Sequence, residues 1–130
     1  MLATSLLVID DDPDFNTLVK FILQHDTNWI ILTASDGAEG LNLAKSQQPG
    51  VILLDIVMPK LDGLDIYKLL KSNPDTCNIP IIFMTAMVRM EKVIKARITE
   101  DIKVIVKPFD IMTLANQIII ECDHYLIKNN

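Results

Sequence analysis

The sequence predicts an α/β domain, a doubly wound five-stranded parallel sheet with five helices, on three observations. Short apolar runs alternate with longer amphipathic stretches along all 130 residues. The runs Leu6-Leu7-Val8-Ile9 and Val51-Ile52-Leu53-Leu54 are continuous, as suits strands buried on both faces of a parallel sheet. No Pro/Gly/Ser-rich linker and no repeat interrupts the pattern, so residues 1–130 read as one domain.

The elements follow in order. Leu6 to Ile9 form the first strand. Asp12-Pro13 then offers an N-cap followed by proline at the first helical position, and Phe15, Leu18, Val19 and Ile22 recur at helical spacing. Trp29-Ile30-Ile31-Leu32 is the second apolar run. Ser35 or Asp36 can cap a second helix carrying Ala38, Leu41 and Ala44. The run at 51–54 is the third strand, and Leu64 to Leu70 begins the third helix. Ile79 to Met84 is the fourth run, broken only by Pro80. A fourth helix is expected over Val88 to Ile98, with Met90, Val93, Ile94 and Arg97 on adjoining faces. Ile102 to Val106 is the fifth run, where Lys103 suits a strand near a sheet edge. Asp110 caps a fifth helix reaching about Leu126. Strands joined through helices pair in parallel, and right-handed crossovers cover both faces of the sheet.

Composition narrows the function classes. Apolar residues make up 50% and charged residues 22%, an ordinary globular balance that can build a core without staples. A net charge of -5 argues against direct binding to nucleic acid or to an anionic membrane surface. Cys77 and Cys122 stand outside any CxxC or His-rich spacing, which points to reduced thiols and a cytoplasmic location. No apolar run approaches the roughly 18 residues of a membrane span. Met1 to Ser5 lacks a basic region ahead of the first apolar run, so no signal peptide is expected. His25 and His124 have no partner at ligand spacing and read as surface residues.

In open α/β sheets, ligands bind beyond the carboxyl ends of the strands, where the strand order switches. Four of the five runs close on that rim with a polar side chain: Asp10-Asp11, Asp55, Thr85 and Lys107. Bare carboxylates gathered there would repel, and either protonation or a bound cation relieves them. Carboxylates with open water positions suit Mg²⁺, whose shell is usually completed by phosphate oxygens. Beside such an ion a carboxylate can act as a nucleophile and become an aspartyl phosphate. Phosphoryl transfer mainly needs positioning and charge neutralisation, which a lysine and a threonine hydroxyl can supply. Taken singly, each residue has a plainer reading: a turn, a cap or a solvated lysine. Asp12 is assigned to the helix cap, and the convergence of the others raises the functional reading.

The segments that carry this chemistry resemble the receiver domain of bacterial two-component response regulators, over essentially the whole chain. They are Leu6 to Pro13, Ile52 to Gly63 with its D-x-x-M-P-x-x-D-G pattern, Ile79 to Ala86, and Val104 to Phe109. The resemblance implies a flavodoxin-like sheet of order 2-1-3-4-5. It implies Asp55 as phosphoacceptor, with Thr85 and Lys107 contacting the phosphoryl group. Mg²⁺ (or Mn²⁺) would be held by Asp10, Asp11, Asp55 and the Val57 backbone carbonyl, Asp10 acting through water. Gly63 would open the third helix, and a cis peptide would join Lys107 to Pro108. The domain would be a phosphoacceptor that assists its own phosphorylation and dephosphorylation rather than an enzyme. Its partners would be a histidine kinase or histidine phosphotransfer protein and a downstream protein.

Two departures from the family stand out. Val104 replaces the aromatic residue common three positions before the lysine, and Glu100-Asp101 replaces the common Gly-Ala pair. Since the sequence stops at Asn130, soon after the fifth helix, no output domain is expected. Rival readings fare worse. A phosphatase-like enzyme would usually carry a second acid where Val57 stands, and no glycine-rich nucleotide motif is present. A degenerate, purely protein-binding receiver is opposed by the intact acids, Thr85 and Lys107. In the fifth helix, Ile111, Leu114, Ala115, Ile118 and Cys122 form a docking stripe. Met112, Ile119 and Leu126, with Ile120 and Ile127 beside them, form a second that suggests phosphorylation-dependent self-association. By the same resemblance, the positions best placed to orient a hydrolytic water lie two residues after the phosphoacceptor and two after the threonine. Here they are Val57 and Met87, which cannot do so, and a long-lived aspartyl phosphate is expected.

Overall fold

A computed structural model of the chain describes residues 5–56, 63–85, 103–106 and 113–120. The elements are β1 (Ser5–Ile9), α1 (Pro13–Asp26), β2 (Ile30–Ala34), α2 (Gly37–Gln47), β3 (Val51–Asp55), α3 (Gly63–Ser72), β4 (Ile81–Thr85) and β5 (Lys103–Val106). A further helix, α4, covers 114–120. All five strands are parallel, in the order β2-β1-β3-β4-β5. This is the expected doubly wound sheet. Lys103 falls on an edge strand, as its charge suggested. The helix expected over Val88 to Ile98 lies outside the described residues, as does the cap at Asp110.

Strand residues alternate between two cores because successive side chains point to opposite faces. Leu7, Ile9, Ile52, Leu54, Ile81 and Phe83 face α2 and α3, meeting Ala44, Leu64, Ile66, Tyr67 and Leu70. Leu6, Val8, Val51, Leu53, Ile82, Met84 and Ile105 face the other way, meeting Val19 and Leu23 of α1 and Leu114, Ala115 and Ile118 of α4. The described part of the fifth-helix docking stripe is therefore buried. Trp29 packs against this second core from just before β2 instead of beginning the strand.

The caps behave as their residue types dictate. Asp12 is the N-cap of α1, its carboxylate accepting from the backbone N–H groups of Asp14 and Phe15, with Pro13 opening the helix. Asp36, rather than Ser35, caps α2 and accepts from Glu39 N–H at 2.8 Å. Gln48 ends that helix in the left-handed conformation, and its side-chain amide donates to Asp75 O at 2.9 Å.

Each of two expected helix faces keeps most of its members toward the core and loses one. Leu18 is half-exposed, while Asn16, Val19 and Leu23 point inward from α1. Ala38 is exposed, and Gly40 takes the inward place on α2. The reason at Gly40 is space: a Cβ there would lie 2.6 Å from Ile9 Cδ1, so α2 packs closely on β1 and a side chain at that position requires Ile9 to move.

Candidate phosphoacceptor and metal site

The site grows out of the strand ends. Beyond β1, Asp10 still donates its backbone N–H to Ala34 O at 3.1 Å, so the peptide remains in the ladder as the chain turns into α1. The pairing of Ile9 with Leu54 brings Asp10 alongside Asp55, the last residue of β3. Asp55 pairs with Met84, which puts Thr85 one step further along the neighbouring strand. From β1 and β3 the order runs outward in opposite directions, so this rim is the switch point of the sheet.

Asp10, Asp55 and Thr85 are buried, whereas Asp11 is exposed. One carboxylate oxygen from each of Asp10, Asp11 and Asp55 lies within 4.8 Å of the others. At that separation two like charges repel by ~3.5 kcal/mol at an effective dielectric of 20. Three hard oxygen donors, two buried and one open to solvent, fit Mg²⁺ or Mn²⁺ with positions left for water or phosphate oxygens. Asp12 is kept out of the cluster by its work as the α1 cap.

Backbone groups hold the carboxylates in place. Asp10 Oδ1 accepts from Asp12 N–H at 3.0 Å. The Asn16 amide donates to the carbonyls of both Asp10, at 2.9 Å, and Ala34, at 3.1 Å. Across the rim, Ile56 N–H donates to Met84 O at 3.0 Å, and Gly63 N–H donates to Ile56 O at 2.7 Å. Gly63 does open α3, and the reason is steric. A Cβ there would strike the Asp55 carbonyl and lie 2.6 Å from Ile56 Cα. Asn16 was not singled out by the sequence. Its only signal there is a polar residue among the inward positions of α1.

Asp10, Asp11 and Asp55 are thus brought together, and Thr85 stands on the same rim at the end of β4. Val57, Met87 and Lys107, with the Lys107–Pro108 peptide, lie outside the described residues. Cys77 is a half-buried free thiol, and Cys122 is not among the described residues. His25 is a surface residue beside Asp26, at 3.1 Å. No helix among the described residues is long and apolar enough to cross a membrane.

Comparison with known proteins agrees with the geometry. The response regulator receiver domain family matches residues 6–119. The probable transcriptional regulatory protein TcrX of Mycobacterium tuberculosis is 33% identical over 82% of this chain and 44% of its own length. The DNA-binding dual master transcriptional regulator RpaA of Synechocystis has the same identity, 33%, over the same shares, 82% and 44%. The chain therefore spans less than half the length of these relatives. Among solved structures, the chemotaxis response regulator CheY4 of Vibrio cholerae superposes with a TM-score of 0.80 at 27% identity, covering 93% of this chain and 99% of that one.

Proposed function

The chain belongs to the response regulator receiver domain family, and on that premise we propose that Asp55 accepts a phosphoryl group from a histidine kinase or histidine phosphotransfer protein. The Asp10, Asp11 and Asp55 cluster carries the reading. A purely structural strand end has no use for two buried carboxylates beside a third.

In this reading, an Asp55 carboxylate oxygen attacks phosphorus as the phosphorus–nitrogen bond to the donor histidine breaks. The electron pair stays on the imidazole nitrogen, and a mixed anhydride forms on Asp55. Thr85 donates its hydroxyl hydrogen bond to a phosphoryl oxygen, and the Lys107 ammonium balances the phosphoryl charge. Asp10, Asp11, Asp55 and the Val57 carbonyl are the groups that would hold Mg²⁺ or Mn²⁺. When bound, that cation supplies positive charge at the transferring oxygens. Burial of Asp55 limits the paths by which water reaches it.

The domain acts as a phosphoacceptor that assists its own transfer and dephosphorylation, not as a turnover enzyme. Its phosphorylated form switches binding to a partner protein in the cytoplasm. Incubation with a small phosphodonor and Mg²⁺, followed by intact-mass measurement, tests the reading. An acid-labile increment of one phosphoryl group is expected in wild type and none in Asp55→Asn. An undiminished increment in the variant overturns the assignment.

A further inference from the structure

We infer that Asn16 is a positioning residue for cation binding by the carboxylate cluster. The inference rests on the proposed function and concerns how that site is built. Asn16 is buried in the first turns of α1, and its side-chain amide donates to backbone carbonyls rather than to the carboxylates themselves. It acts instead on the chain that carries the carboxylates. One amide nitrogen bridges the carbonyls of Asp10 and Ala34, at 2.9 Å and 3.1 Å. The same Ala34 carbonyl accepts the Asp10 N–H at 3.1 Å. Both polar ends of Asp10's backbone are thereby fixed, to β2 on one side and to α1 on the other. With the backbone held and Oδ1 engaged by Asp12 N–H at 3.0 Å, the Asp10 side chain has little freedom to turn away from Asp11 and Asp55.

Stability alone does not account for an amide here. Among the described residues, Asn16 Oδ1 is a buried side-chain oxygen with no hydrogen-bond partner. The penalty for such an orphan is of the same order as the gain from the two bonds on the nitrogen. What the amide adds is a fixed direction for the peptide that leads from β1 into Asp11. Groups that orient ligands without touching the metal alter metal affinity by about 10–100-fold when removed.

The experiment measures Mg²⁺ dissociation constants by calorimetry, and metal-free thermal midpoints, for wild type, Asn16→Ala and Asn16→Leu. Leucine refills the volume without a donor, and alanine covers the case in which leucine does not fit. Both variants should fold, melt somewhat lower without metal because the buried Asp10 carbonyl loses its Asn16 donor, and bind Mg²⁺ about tenfold more weakly, a loss beyond what the lower midpoint accounts for. A wild type that binds Mg²⁺ alongside variants of equal affinity overturns this inference alone. Variants that fail to fold make Asn16 a structural residue and overturn it too. A wild type that binds no Mg²⁺ overturns the parent reading together with this one.

Discussion

Replacing Gly63 with alanine should damage this protein far more than the same change at Gly40, although both glycines sit in helices against the sheet. At Gly63 the nearest atoms to the new Cβ are all backbone, the Asp55 carbonyl and Ile56 Cα at 2.6 Å. Carbon atoms pack comfortably at about 3.5–4.0 Å, so the helix start or the strand end must shift by roughly 1 Å. Overpacking of this kind costs about 1–3 kcal/mol. The shift also stretches the 2.7 Å bond from Gly63 N–H to Ile56 O, worth about 1 kcal/mol. Against this stands a gain of about 0.4–1 kcal/mol from the less flexible unfolded chain. The net loss is about 1–3 kcal/mol.

At Gly40 the clash is with Ile9 Cδ1 at 2.6 Å and Cγ1 at 2.9 Å, atoms of a side chain that can change rotamer. Here alanine gains about 1 kcal/mol of helix propensity, so the net change should lie within about 1 kcal/mol of zero. Urea unfolding followed by the fluorescence of Trp29, the one tryptophan in the sequence, measures both. Phosphorylation of Gly63→Ala by a small donor should also slow, because the displaced atoms carry Asp55. A Gly63→Ala protein as stable as Gly40→Ala would refute the claim that backbone contact at Asp55 dictates this glycine.

Mg²⁺ should raise the stability of wild type by about 0.4 kcal/mol at a concentration equal to Kd and about 1.4 kcal/mol at ten times Kd. Asp11→Ala should abolish the gain in thermal melts, and equal shifts in the two proteins would count against Asp11 as a ligand. Of the second apolar stripe on α4, Ile119 is partly buried and Ile120 beside it is 64% exposed; if the stripe serves self-association, beryllofluoride should shift the protein toward a dimer in light scattering. An unchanged monomer at high concentration would reject self-association through this helix.

Much of the site was legible because its residues close apolar runs. Asp10, Asp11, Asp55 and Thr85 could be placed on one rim by the rule that parallel strands share a direction, before any contact was known. Asp12 could be set aside by its spacing to Pro13. Helix faces were less legible. A 3.6-residue period marks a stripe but leaves its centre uncertain by a position or so, and α1 carries apolar residues at Leu18, Phe21 and Leu23 alike. The crossing of α1 over β1 and β2 buries Leu23 and leaves Phe21 70% exposed.

The sequence by itself determined the order of the elements, the parallel sheet and the set of acids available at its carboxyl end. These follow from local pattern: apolar run length, caps, and the polar residue after each strand. Tertiary structure decided what those acids can do together. The approach of Asp55 to Asp10 and Asp11 depends on pairing between strands some forty residues apart in the chain. So does the need for glycine at 63, which arises only when α3 begins against the backbone of β3's last residue. The bond from Asn16 to Ala34 spans 18 positions and joins a helix to a strand that follows it. Such contacts leave no periodic trace in a sequence, because they are set by where whole elements pack and not by the propensities of the residues that meet.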